Sequence, residues 1–382
     1  MRLARRRGVA VRLPESGRAA VVVAFDEPLE LREYPIAEPP PGGLLVAVER
    51  TTVCGSDVHI WDGSFAEEFG IRLPVVLGHE IVGRIVAFGD GSRLDSVGRE
   101  LVLGDRVTWE HEACGHCYEC TVARTPSLCR NRRIGFLLDS DEPPHFGGGF
   151  AEYSYVWPRS GRLRIPDDVD SALAAAASCA LRTAIPAIER LGGVGFDDTV
   201  VVQGSGPLGL FATAVFATHR PRRLIVVGGP SERLEVARAW GADVTISIDE
   251  HPDREERVAL VREQTEGRGA TVVGEFSGGR EAVVEGVEMT APAGRYVIAG
   301  SLGGPAQPLL AQMITQKALT IHGSLGAEIG SYFKALEFLR QERDSFAWGS
   351  LLGATYDLSE ASTALARMQA FEEIKAVLAP SG

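Results

Sequence analysis

Val200-Val201-Val202-Gln203 runs directly into Gly204-Ser205-Gly206-Pro207-Leu208-Gly209 and then into an apolar segment, Leu210 to Thr218. A β-branched run, a cluster of glycines and a helix-length apolar run allow few structures: a buried strand, a tight turn and a helix. A bare G-x-G-x-x-G is weak evidence, but its position after a strand and before a helix gives it meaning. Gly204 allows the tight turn, Gly206 lets the backbone approach a pyrophosphate, and Gly209 lets helix pack on strand. The helix amino terminus then faces the phosphates. Ser205, Pro207 and Leu208 complete the cofactor-binding loop. The plainer alternative is a glycine turn without a ligand.

Downstream, strands and helices alternate. Strands are expected at Leu224–Val227, Val244–Ile248, Val272-Val273, Tyr296–Ala299 and Leu319–His322, with helices over 232–240, 255–264 and 281–289. Alternating βα units make a doubly wound parallel sheet. Upstream the pattern differs, with short strands and glycine turns from Ala19 to Val156, a β-barrel-like half whose loops carry ligands. An alanine-rich helix pair, broken around Pro186, joins the halves, and the tail holds two amphipathic helices and a short strand near Leu378. A chain of 382 residues suits two domains. We expect a catalytic zinc-binding β-rich domain over 1–180, a nucleotide-binding domain over 181–323, and a return to the first domain over 324–382.

The six cysteines carry the chemistry. Cys114, Cys117, Cys120 and Cys129 follow the pattern C-x2-C-x2-C-x8-C. Four closely spaced thiolates fill the tetrahedral shell of one zinc ion and leave no open position, so this site is structural. His116 lies inside the loop but is not needed as a ligand. Earlier, Cys54-Gly55-Ser56-Asp57-Val58-His59 is answered by Gly78-His79-Glu80. Cys54 and His79 offer two of the three protein ligands that a catalytic zinc takes. Taken alone, Cys179 reads as a small buried side chain in an apolar helix. With four cysteines in the closed site, it is also the only thiol left to complete the set.

The formal charge of −12 opposes a nucleic-acid partner, which would require a basic face. No apolar run is long enough to cross a bilayer, so no membrane partner is expected. Arg2, Arg5, Arg6, Arg7 and Arg12 crowd the amino terminus, read as a disordered basic extension, with an organellar transit peptide as the alternative. Cysteines at metal spacing favour a reducing compartment, and we expect a cytoplasmic protein.

With both metal motifs ahead of the glycine motif, the chain from Ala19 onward resembles the zinc-dependent medium-chain dehydrogenase/reductases, the family of the zinc alcohol, sorbitol and threonine dehydrogenases. The resemblance implies an α/β fold: a GroES-like β-barrel catalytic domain plus a Rossmann doubly wound parallel-sheet coenzyme domain. It implies that Cys54, His79 and Cys179 hold the catalytic zinc, and that Cys114, Cys117, Cys120 and Cys129 hold a structural one. Glu80 matches the carboxylate beside the metal, and Ser56 the hydroxyl that takes the substrate proton. His59 matches the histidine that relays this proton to solvent, and Asp57 the carboxylate that orients the ligand histidine. Thr183 and Leu208 match positions flanking the nicotinamide.

The implied activity is reversible hydride transfer between NAD or NADP and a primary or secondary alcohol, polar or hydroxylated alcohols included, giving the aldehyde or ketone. The family forms homodimers and homotetramers. The alternatives are a zinc-free quinone or enoyl reductase, or a non-catalytic zinc protein with a dehydrogenase-like fold. Three features depart from the family pattern. The last structural gap is one residue longer than usual. Gly228 stands where an acidic ribose ligand is usual, with Arg233, Arg222 and Arg223 the nearby basic residues, which leaves NAD and NADP open. Trp109-Glu110-His111 makes a normally apolar region polar, which suits a hydroxylated or charged substrate.

Overall fold

The computed structural model describes residues 3–6, 9–300, 308–309 and 311–381, so Arg2 and Arg7 lie outside the described residues. The backbone of Leu3–Arg6 (β1) pairs antiparallel with Val9–Arg12 (β2), a two-stranded ribbon rather than the disordered extension expected here. Ser16–Val22 (β3) pairs antiparallel with Glu30–Pro35 (β4), across a turn where Asp26 takes a positive φ of 59°.

Leu44–Thr52 (β5) is the strand that positions the site. After it come Gly55–Trp61 (α1), Val75–Val76 (β6), Glu80–Phe88 (β7), Arg106–Trp109 (β8) and Tyr118–Thr121 (α2). Tyr153–Val156 (β9), Arg162–Arg164 (β10) and Ser171–Ala177 (α3) complete this stretch. β5 and β7 pair antiparallel with Thr52 opposite Glu80. That register puts the end of β5, and so Cys54, beside the start of β7, and so His79. Two motifs separated in sequence share one sheet end for this reason.

The helix pair breaks at Ser178-Cys179, not around Pro186 as expected. Ser178 closes α3: its N–H bonds the Ala174 carbonyl at 3.0 Å and its hydroxyl the Ala175 carbonyl at 2.7 Å. Ala180–Glu189 (α4) then carries Pro186 within it, where proline removes one helical hydrogen bond and crowds the carbonyl of Arg182.

Thr199–Gln203 (β11), Pro207–Thr218 (α5), Arg223–Gly228 (β12), Ser231–Ala239 (α6), Val244–Ser247 (β13), Arg254–Glu263 (α7) and Ala270–Glu275 (β14) follow. Then come Ala282–Met289 (α8), Thr290–Ile298 (β15), Ala311–Gln316 (α9) and Thr320–Gly323 (β16). The six strands pair in parallel in the order β13-β12-β11-β14-β15-β16. The order reverses beside β11, and the crevice at that switch point is where such sheets bind ligands. Val201, Ile225, Val273 and Tyr296, all fully buried, form its core.

Ile329–Gln341 (α10), Thr355–Tyr356 (β17), Ala361–Gln369 (α11) and Val377–Leu378 (β18) return to the first sheet, where β18 pairs antiparallel with the end of β5. The chain separates into two units. One contains Met1–Cys179, Ala327–Gln341 and Leu352–Gly382; the other contains Ala180–Gly326 and Glu342–Leu351. The excursion of Glu342–Leu351 had no signal in the periodicity. It follows from aromatic packing, with Trp348 4.9 Å and Phe346 5.9 Å from the Trp240 ring. No single helix among the described residues is long and apolar enough to cross a membrane.

Candidate metal centres and nucleotide site

Cys54 is the N-cap of α1, with extended φ and ψ of −95° and 157°. Asp57, fully buried in the first turn, holds three groups at once. Its Oδ2 accepts the Cys54 N–H at 2.8 Å, its Oδ1 accepts the Gly78 N–H at 3.1 Å, and Oδ1 lies 3.3 Å from His79 Nδ1. One carboxylate thus fixes both ligand-bearing segments and directs one ring nitrogen of His79 away from the metal position. Gly78 has φ of +90°, and a Cβ there would stand 2.6 Å from Phe150 Cδ1 and 3.0 Å from the Gly149 backbone nitrogen.

Cys54, His79, Glu80 and Cys179 each offer one ligand atom, and these atoms lie within 4.8 Å of one another. Two thiols, an imidazole and a carboxylate form a donor set that suits zinc. Glu80 is fully buried; its Oε1 lies 2.7 Å from Lys375 Nζ, and its other oxygen accepts from the Thr52 hydroxyl. Lys375, 1% exposed, also donates to the Val53 carbonyl at 3.2 Å.

Burial pushes Glu80 up to about 7, against the pull of Lys375. Burial also opposes the Lys375 charge, but Glu80, Cys54 and Cys179 outweigh it and raise the ammonium above its ordinary range. The hydrogen bond to Cys179, then burial, pushes the Cys54 thiol up to about 11, so a metal binding here must displace a proton.

Ser56 and His59 stand three residues apart on one face of α1. Ser56 Oγ is 4.0 Å from Cys54 Sγ. The His59 side chain is 51% exposed, with Nδ1 3.2 Å from Ser64 Oγ. The face runs from the ligand cluster to solvent. Beside His79 a pocket is walled by Trp109, His111, Arg133, Phe136, Tyr155 and Trp157, with the Phe136 ring 4.8 Å from that of His79. Glu110 borders it too, but its carboxyl is engaged with the backbone of Ile329 and Gly161, and burial raises it to about 7.

The second cluster is Cys114, Cys117, Cys120 and Cys129, with Sγ of Cys117 3.4 Å from that of Cys120 and 3.7 Å from that of Cys129. A 3-10 turn at Pro126–Leu128 absorbs the longer last gap and brings Cys129 back. His116 turns its ring to the Cys114 carbonyl at 2.8 Å, outside the cluster. The backbone N–H groups of His116 and Cys117 favour the Cys114 thiolate and pull its thiol down to about 6, although burial opposes the charge.

Comparison with known proteins places the chain in a family. Residues 40–167 match the alcohol dehydrogenase GroES-like domain, and residues 207–341 match the zinc-binding dehydrogenase model. The 5-exo-hydroxycamphor dehydrogenase of Pseudomonas putida is 36% identical over 94% of this chain and 98% of its own length. The chain belongs to the zinc-dependent medium-chain dehydrogenase family. An alcohol dehydrogenase from Thermotoga maritima superposes with a TM-score of 0.87 at 32% identity, covering 96% of this chain and 99% of that one. A zinc-binding dehydrogenase homologue from Sinorhizobium meliloti, bound to NADP, gives a TM-score of 0.81 at 26% identity, covering 96% of this chain and all of that one.

In this dehydrogenase the glycine turn has the shape a dinucleotide needs. Gly204 has φ of +112°, and a Cβ there would stand 2.9 Å from Ser277 Cα. A Cβ on Gly209 would meet the Gly204 carbonyl oxygen at 2.0 Å, whereas one on Gly206 would meet nothing within 4 Å. Gly206 is the N-cap of α5 and lacks a side-chain cap, so the first N–H groups face open space. Thr183 and Leu208 are half-buried on α4 and α5. Arg233 is only 6% exposed, while Arg222 binds Glu266 and Arg223 binds the Gln264 carbonyl. Among the described residues, the sequence reading missed Lys375 and Thr52. Lysine within the apolar run Ile374 to Leu378 was the available signal.

Proposed function

We propose that this dehydrogenase transfers hydride reversibly between an alcohol and a nicotinamide nucleotide, NAD(P), at a zinc held by Cys54, His79 and Cys179. The convergence of their ligand atoms with Glu80, within 4.8 Å, carries this reading. A zinc ion bound there supplies Lewis acidity that lowers the pKa of an alcohol hydroxyl, and the nucleotide supplies the hydride chemistry.

The chain does the rest. Asp57 orients His79 and ties Cys54 to Gly78. Lys375 neutralises Glu80, so that a buried carboxylate can sit beside the ligands. Ser56 takes the hydroxyl proton, and His59 passes it to solvent along the exposed face of α1. The turn from Gly204 to Gly209 receives the pyrophosphate on its N–H groups, with Thr183 and Leu208 beside the nicotinamide.

The four-cysteine lobe holds a second, structural zinc, giving two per chain. Aromatic rings mixed with His111 and Arg133 around His79 suit an alcohol that carries both apolar and polar groups. Among the described residues β16 is the edge strand of its sheet, which suits pairing in a homodimer or homotetramer. Six free thiols suit the reducing cytoplasm. The test is alcohol-dependent reduction of NAD or NADP by the zinc-loaded protein across a panel of compact and polar alcohols. Turnover is expected with the wild type and lost in Cys54→Ala. Equal turnover by that variant sinks the assignment.

A further inference from the structure

The end of β12 is closed to a side chain. A Cβ on Gly228 would stand 2.4 Å from Ser205 Oγ and 2.9 Å from the Ser205 backbone nitrogen. The Ser205 hydroxyl is itself fixed: it donates to the Gly229 carbonyl and accepts the Gly229 N–H, each at 2.9 Å. The carboxylate that ordinarily ends this strand and binds the ribose therefore has no room here.

The neighbouring strand brings one instead. β13 lies parallel to β12 with Ser247 opposite Gly228. The Ile248 N–H then bonds the Gly228 carbonyl at 2.9 Å, and the Asp249 N–H bonds Ser247 Oγ at 3.2 Å. This turn delivers the Asp249 carboxylate over the glycine pair, its Oδ2 2.9 Å from where a Gly229 Cβ would be. Asp249 is exposed, whereas Arg233 is withdrawn from solvent. The Gly204 N–H bonds the Val227 carbonyl at 2.7 Å, which ties this strand end to the glycine turn.

We propose that Asp249 accepts the adenosine ribose hydroxyls in place of the missing strand-end acid, and that it makes this dehydrogenase select NAD over NADP. The inference rests on the reading that a nicotinamide dinucleotide occupies the turn from Gly204 to Gly209. A carboxylate accepts two vicinal hydroxyls at once. The 2′-phosphate of NADP would instead bring like charge against it. One relative binds NADP, so family membership leaves the choice to the residues of this chain.

The experiment is fluorescence titration of the full-length protein with NADH and with NADPH, for the wild type, Asp249→Ala and Asp249→Asn. The wild type should bind NADH more tightly by about tenfold or more, and both variants should lose about tenfold on NADH without losing NADPH. A wild type that favours NADPH overturns the inference, as do variants that bind NADH like the wild type. Either result leaves the dinucleotide reading standing. Binding of neither nucleotide by a zinc-replete wild type overturns that reading and this inference together.

Discussion

Lys375 Nζ and Glu80 Oε1 lie 2.7 Å apart, both side chains almost wholly out of water, although 295 residues separate them in the chain. The pair joins the returning carboxy-terminal segment to the start of β7. It also favours the charged form of the Glu80 carboxyl against burial. Removing the ammonium alone would leave the buried Glu80 carboxyl without its charged partner, with only the Thr52 hydroxyl bonded to it. Lys375→Met should therefore destabilise the protein by about 3–5 kcal/mol, and adding Glu80→Gln should recover most of the loss. Urea unfolding of the single and double variants checks this. Equal midpoints for wild type and Lys375→Met would show that the pair contributes nothing.

Asp57 reaches the metal site only through its neighbours. Asp57→Asn keeps the size but removes one acceptor from the Cys54, Gly78 and His79 contacts, so zinc affinity should fall about 10–100-fold. Competition with a chromogenic chelator measures it. Ser56→Ala is the contrasting variant: turnover should drop while zinc affinity stays unchanged. An Asp57→Asn protein that holds zinc like the wild type would remove Asp57 from this role.

Two ligand clusters predict two zinc ions per chain by elemental analysis. Cys54→Ser and Cys117→Ser should each retain one, through different losses. The first should lose turnover and keep its thermal midpoint near that of the wild type. The second should keep measurable turnover and unfold at lower temperature, because its cluster closes a lobe with little other core. A wild type with a single zinc would contradict the two-site reading.

Glu110 makes stability depend on pH. Burial raises its carboxyl from 4.5 to about 7 in the folded chain. Between those values the folded state holds a proton that the unfolded chain has released, so stability falls as pH rises through this window. Glu110→Gln keeps an acceptor for backbone N–H groups and cannot ionise. It should be more stable than the wild type at pH 8 by about 2 kcal/mol, with the difference vanishing near pH 4. Denaturant midpoints of the two proteins at both pH values decide it. A constant difference across the window would mean that Glu110 titrates normally.

Much of the fold was legible because its signals are local. Strand, glycine turn and helix follow one another from Val200 to Thr218, and β-branched runs mark the other strands of the parallel sheet. The helix break was misread because proline is a strong local signal, while the bonds of Ser178 to Ala174 and Ala175 leave none. The polar stretch Trp109-Glu110-His111 suggested a hydroxylated or charged substrate. Packing engages the Glu110 carboxyl with the backbone of Gly161 and Ile329 at the pocket lining, which no window around residue 110 reveals.

By itself, the sequence determined which side chains have metal-ligand and dinucleotide chemistry and in what order they occur, since residue type and spacing are properties of the chain. Tertiary structure decided which of them meet. The register of β5 on β7 brings Cys54 beside His79, the return of β18 puts Lys375 on Glu80, and the parallel pairing of β12 with β13 carries Asp249 to Gly229. Each contact joins residues remote in sequence through backbone hydrogen bonding between strands, and only the folded sheets fix that register.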